Sequence, residues 1–135
     1  MRLLNVCSVR NKTCIIRDLI TDEKIDLFIL TETWLSQGDE AVIQEFIPET
    51  HHFVHLPRDS RAGGVGIAVC NYIKVIKTVF HSFEYFECME VHLRNGAESV
   101  AAFIIYRPPG YASIGFINEL ELLLLQSHNY NTPKL

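Results

Sequence analysis

Apolar residues recur along the chain in two rhythms, and the change from one to the other marks the elements. Leu3 to Val6 reads as a short apolar strand interrupted by Asn5, and the polar segment Ser8 to Lys12 follows it. From Thr13 to Glu23, Ile15, Ile16, Leu19 and Ile20 recur at helical spacing while Arg17, Asp18, Asp22 and Glu23 fall elsewhere, which predicts an amphipathic helix. The stretch Ile25 to Leu35, IDLFILTETWL, opens with a run rich in Ile, Leu and Phe and ends in Glu32, set between two threonines and followed by the only tryptophan. Such a run predicts a strand buried on both faces. Strand, helix and strand in this order make a crossover unit with parallel strands and a right-handed connection. Asn5 and Glu32 then approach each other at one edge of the sheet.

Beyond Trp34 the pattern changes. Ser36 to Thr50 is acidic and loop-like, with a helical turn at Glu40 to Phe46 that Pro48 closes. Phe53 to Leu56 is extended by its alternation and by Pro57. Val65 to Val69, Ile73 to Phe80, Glu87 to Leu93 and Ser99 to Tyr106 read as strands, with Asn71-Tyr72 and Asn95-Gly96 as turn signals. This succession predicts antiparallel pairing after the opening crossover, so the domain is α/β (α+β) with a mixed sheet. Pro108 and Pro109 cannot continue a ladder, which leaves Tyr106 at a strand exit. A final helix, Ile114 to Gln126, carries Phe116, Ile117, Leu120, Leu123 and Leu124 on one stripe. Leu122 and Leu125 widen that stripe beyond what one sheet face needs, so either another element covers it or part of the domain lies elsewhere.

Composition narrows the class without naming a chemistry. A chain of 135 residues with 48% hydrophobic content fits one domain with a real core. The net charge of −4 gives no global attraction to nucleic acid, so any DNA contact depends on local patches. Arg2, Arg10, Lys12 and Arg17 precede the first acidic residue and read as a solvated helix face. Cys7, Cys14, Cys70 and Cys88 show neither a C-x-x-C pair nor zinc spacing, the pattern of buried reduced thiols in an intracellular protein. No apolar run approaches the ~18 residues of a membrane span.

Three residues stand where chemistry could occur. Glu32 leaves a buried strand at the end where open α/β sheets collect ligands, or else it is a rim carboxylate bonded to its own loop. Asn5 is either near a strand end or committed to a hydrogen-bond network, because a buried amide without partners is expensive. Tyr106 is either a half-buried packing residue with a wet hydroxyl or a donor at its strand's exit. His51, His52 and His55 invite a metal reading, but an extended segment sends such side chains to both faces. Gly63 and Gly64 read as a turn into a strand, since no Walker lysine or serine follows.

Four motifs in order carry a family resemblance. The segment N-x-x-S-x-x-N-K from Asn5, LTETWL around Glu32, RAGGVGI from Arg61 to Ile67 and YRPP from Tyr106 resemble the endonuclease/exonuclease/phosphatase superfamily. Within it, they are most similar to the apurinic-endonuclease-like domains of LINE-type non-LTR retrotransposons. The resemblance implies a four-layer α/β/β/α sandwich, incomplete at the C-terminus, formed by residues 1–135 as a single truncated domain. It also implies a site that cleaves phosphodiesters with Mg²⁺ or Mn²⁺. Glu32 would coordinate the metal, Asn5 would support that cluster, and Tyr106 would contact the scissile phosphate. DNA would be the partner of the complete domain, with no membrane and no specified protein partner, in nucleus or cytoplasm.

The departures are equally specific. The family's Gly-Asp-Phe-Asn and Ser-Asp-His motifs do not occur before Leu135, and Cys7 stands where some relatives carry an acidic or amide residue. The expectation is an N-terminal portion of a Mg²⁺-dependent DNA endonuclease, inactive by itself and binding Mg²⁺ at best at millimolar concentration. A phosphatase or lipid phosphodiesterase of the same superfamily, or a non-catalytic interaction module, are the alternatives.

Overall fold

The structure is a computed structural model that describes residues 1–60, 62–110 and 113–130, with side chains as far as 127. The crossover forms as the apolar periods require. Strand β1 (Arg2–Asn5) runs parallel to β2 (Leu27–Thr31), and helix α1 (Thr13–Asp22) connects them. Helix α2 (Glu40–Phe46) follows, over the residues where the sequence predicts a helical turn. Strands β3 (His51–Leu56) and β4 (Val65–Cys70) then join antiparallel, giving a first sheet in the order β1-β2-β4-β3. Strands β5 (Lys74–Ser82), β6 (Glu87–Asn95) and β7 (Glu98–Tyr106) make a second, antiparallel sheet, closed by helix α3 (Ser113–Tyr130).

Alternation along the strands builds four layers. One face of the first sheet, with Phe28, Leu30 and Ala68, packs on Ile16 and Ile20 of α1 and Phe46 of α2. Its other face, with Ile29, Val65, Ile67 and Val69, packs on Met89, Val91, Leu93 and Ile104 of the second sheet. The outer face of the second sheet, with Cys88, Phe103 and Ile105, packs on Phe116, Leu120 and Leu123 of α3. The result is a mixed α/β sandwich with helices on both outer faces, so the expected fold class holds. The termination of the chain and the segment from Asn131 lie outside the described residues.

Several expectations change. Leu123 is buried, but Ile117 and Leu124, expected on the same stripe, are exposed together with Leu122 and Leu125, because α3 meets the sheet along a narrower line. Of the cysteines only Cys88 is buried. Cys14 lies on the solvent side of α1 and Cys7 in an exposed loop, so packing does not decide their presence. The early basic residues do not share a helix face. Arg2 pairs with Glu23, Arg10 with Asp39, and Arg17 donates to the carbonyls of Gln44 and Ile47 at the end of α2. The three histidines of β3 disperse as the pleat requires. The His51 ring donates to the Ile25 carbonyl at 2.6 Å, His52 lies 3.2 Å from Asn71 Oδ1, and His55 stacks on Phe53. Among the described residues no helix is long and apolar enough to cross a membrane.

Candidate functional site

The site forms where β1, β2 and β7 end. Thr31 completes β2, and the next residue, Glu32, turns into the left-handed region with φ 54°. Its backbone is gripped from both sides. Val6 and Ser8 donate to the carbonyls of Thr31 and Glu32 at 3.0 and 2.8 Å, while Thr33 and Trp34 donate to the carbonyls of Gly64 and Gly63 at 3.2 and 3.0 Å. The glycine pair is therefore more than a turn. Gly64 has φ 92°, and a Cβ there would meet Thr33 Oγ1 at 2.5 Å, so only glycine lets β4 come this close to the exit of β2.

Positive φ concentrates here. Cys7, Ser8, Glu32 and Trp34 account for four of the five described non-glycine residues with that conformation. Each costs on the order of 1–3 kcal/mol unless the surroundings over-determine it, and such residues gather at ligand sites. The clamped backbone supplies that over-determination and leaves the Glu32 side chain free to point away from the core.

Four side chains converge on the carboxylate. The Tyr106 hydroxyl, from the opposite sheet, donates to Glu32 Oε1. The Cys7 thiol donates to Glu32 Oε2 at 3.3 Å and lies 3.4 Å from Asn5 Oδ1. The Tyr106 hydrogen bond is the main reason the Glu32 carboxyl falls below the usual range. Burial opposes it, and Cys7, Asn5 and the Trp34 indole add smaller contributions in the same direction. The Trp34 effect is the smallest, because its buried Nε1–H faces the carboxylate without completing a hydrogen bond to any described residue. Tyr106 responds in the opposite sense: burial first, then Glu32, push its hydroxyl up to about 12, so it keeps its proton at neutral pH.

The structure thus brings Asn5, Glu32 and Tyr106 together, and it adds residues that the sequence did not single out. Arg58, in the loop before the glycine pair, pairs with Glu87, whose other oxygen accepts from Gly64 N at 2.8 Å. Beside Cys7 an open cavity of about 530 Å³ is lined by Ser8, Arg10, Trp34 and Arg58. Arg58 gave only a weak signal, a basic residue in a loop; its place beside the site follows from the pairing of β3 with β4. Arg61 lies outside the described residues. Chemically, Glu32 and Asn5 offer hard oxygen donors suited to a divalent cation. Cys7 offers sulfur at the same point, and a thiol does not suit Mg²⁺.

No family model and no curated protein matches this sequence. Solved structures do match its fold. TDP2 from Caenorhabditis elegans superposes with TM-score 0.64 at 14% identity over 87% of this chain and 39% of its own. An AP endonuclease from Archaeoglobus fulgidus gives 0.61 at 19% identity over 94% and 48%. The AP endonuclease LMAP from Leishmania major gives 0.58 at 13% identity over 87% and 42%. At these identities the likeness shows the fold alone. The chain spans less than half the length of each of these three proteins.

Proposed function

We propose that this chain carries the cation-binding wall of a DNA phosphodiesterase of the retroelement endonuclease type, which works in the complete domain with Mg²⁺ or Mn²⁺ inside the nucleus or cytoplasm. One observation carries the reading: a phenol from the second sheet meets a carboxylate leaving the first, with the Asn5 amide beside them. When bound, the cation supplies Lewis-acid stabilisation of phosphate charge. Glu32 and Asn5 would hold it. Tyr106, kept protonated, would be the hydrogen-bond donor to a phosphate oxygen in place of Glu32. Arg10 and Arg58 border the adjoining cavity, but each is paired with a carboxylate, Asp39 and Glu87, and Asp59 lines it too, so a phosphate there would have to compete with those partners.

These residues do not complete a hydrolase. Among the described residues no group of three His, Cys, Asp or Glu side chains is placed to hold a metal. A general base and a phosphate donor are each worth about 10² or more in rate, so the proposed activity is that of a domain that supplies both beside Glu32 and Tyr106. The test is nicking of supercoiled plasmid by the protein with whatever follows Leu135 in its reading frame. Expected is cation-dependent nicking that Glu32→Ala abolishes. Turnover of phosphoinositides or phosphomonoesters without nicking would transfer the site to a phosphatase role.

A further inference from the structure

We infer that the cavity beside Glu32 takes one unpaired nucleobase, stacked on Trp34, from the DNA strand whose phosphate lies at the carboxylate. The inference rests on the phosphodiesterase reading above and names the form of substrate that this wall selects. The cavity holds about 530 Å³, within the range of pockets that enclose a small planar ligand. Trp34 and Cys7 both line it, and the Cys7 thiol donates to Glu32 Oε2 at 3.3 Å, so the cavity begins where the carboxylate ends. The charged groups around it do not favour a phosphate. Arg10 is paired with Asp39 at 2.7 Å and Arg58 with Glu87, while Asp59 adds a negative charge. What remains is an aromatic ring beside neutral polar groups such as Asn11 and Ser60. That is the chemistry that recognises a base: a π face for stacking, with donors and acceptors for its edge.

Trp34 is held where it can serve both neighbours. Its backbone is left-handed at φ 56°, and its N–H donates to the Gly63 carbonyl at 3.0 Å. The residue is half-buried, with Nε1–H towards the Glu32 carboxylate, and it also lines the cavity. A base stacked there belongs to a nucleotide next to the phosphate that Glu32 and Tyr106 serve. The facing wall is steadied by Lys12, whose Nζ donates to the carbonyls of both Cys7 and Ser8 at 3.2 Å. Inside a duplex a base is stacked on both faces and paired at its edge, and taking it out has a cost that is least for an unpaired base. The cavity therefore selects strands that are unpaired beside the cleaved phosphate.

Trp34 is the only tryptophan, so its emission reports this cavity directly. The experiment titrates the protein, without divalent cation, with a short single-stranded oligodeoxyadenylate, with an abasic oligomer of the same length and charge, and with the adenylate paired to oligothymidylate. Expected is saturable quenching by the single strand, with apparent affinity at least about fivefold weaker for the abasic oligomer and for the duplex. In Trp34→Ala, binding of a labelled oligodeoxyadenylate followed by anisotropy weakens by a similar factor, and Trp34→Phe, which keeps a ring, recovers most of it. Circular dichroism checks that each variant keeps the fold. Equal affinity for the adenylate and the abasic oligomer overturns the base assignment, because phosphates alone then account for binding, and leaves the phosphodiesterase reading standing. Failure of both oligomers to bind also overturns it, and the plasmid assay then decides the phosphodiesterase reading separately. Base-dependent quenching by a protein that nicks no plasmid upholds the base site and removes only the hydrolase.

Discussion

Glu32 and Glu90 are both held below the usual carboxylate range, and they are built in opposite ways. Glu90 is 4% exposed on the outer face of β6. Burial pushes it up, but hydrogen bonds from His81 and His92, one to each oxygen, outweigh that penalty. Glu32 is only half-buried, on a left-handed backbone, and its partners are a phenol and a thiol. Both are donors that a cation can displace. A carboxylate saturated by imidazoles serves the packing of a sheet against a helix. One with displaceable neutral partners, at the exits of three strands, is free to exchange them.

The sharpest way to break this contrast is truncation. Glu90→Ala leaves two imidazoles facing a buried gap and is expected to lose about 3 kcal/mol in urea unfolding, whereas Glu32→Ala changes stability by no more than about 1 kcal/mol. Equal losses would remove the distinction. Next comes Gly64→Ala, where a Cβ would collide with Thr33 and φ is 92°; about 2 kcal/mol should be lost. Gly96→Ala, with φ 62° but nothing within 4 Å, should lose about 1 kcal/mol, which isolates the contact from the backbone strain.

Tyr106→Phe removes one hydrogen bond and should cost about 1 kcal/mol. Carboxyl titration by NMR should show Glu32 rising towards its ordinary 4.5 while Glu90 stays in place. The smallest effect is the acid dependence of Glu32. Both carboxyls are depressed on folding, so each contributes stability that is present above 4.5 and is lost as pH falls through the folded-state value. Glu90→Gln should flatten the acid limb of the stability curve clearly. Glu32→Gln should flatten it slightly, because solvent screens the more exposed group.

Much of the fold was legible because its signals are local. The helical period of Ile16, Leu19 and Ile20, the double-faced burial of Phe28, Ile29 and Leu30, and the strand stops at Tyr106 and Pro57 each lie within a few residues of one another. The approach of Asn5 to Glu32 followed from crossover geometry alone. Contacts between distant segments were not legible. Nothing near Tyr106 in the chain indicates that its hydroxyl faces Glu32, 74 positions earlier. Nor does the spacing of His81, Glu90 and His92 reveal a cluster until the β5–β6 register sets His81 beside Cys88.

The amino-acid sequence by itself determined the order of elements, the mixed pairing and the candidate carboxylate, since hydrophobic period and turn chemistry act over one or two turns of chain. Only the tertiary structure decided which α3 leucines face solvent, where the basic side chains find partners, and that a thiol stands 3.3 Å from Glu32. Those outcomes depend on how two sheets stack and where three strands end together. Such distances are set by long-range packing, which no local pattern encodes.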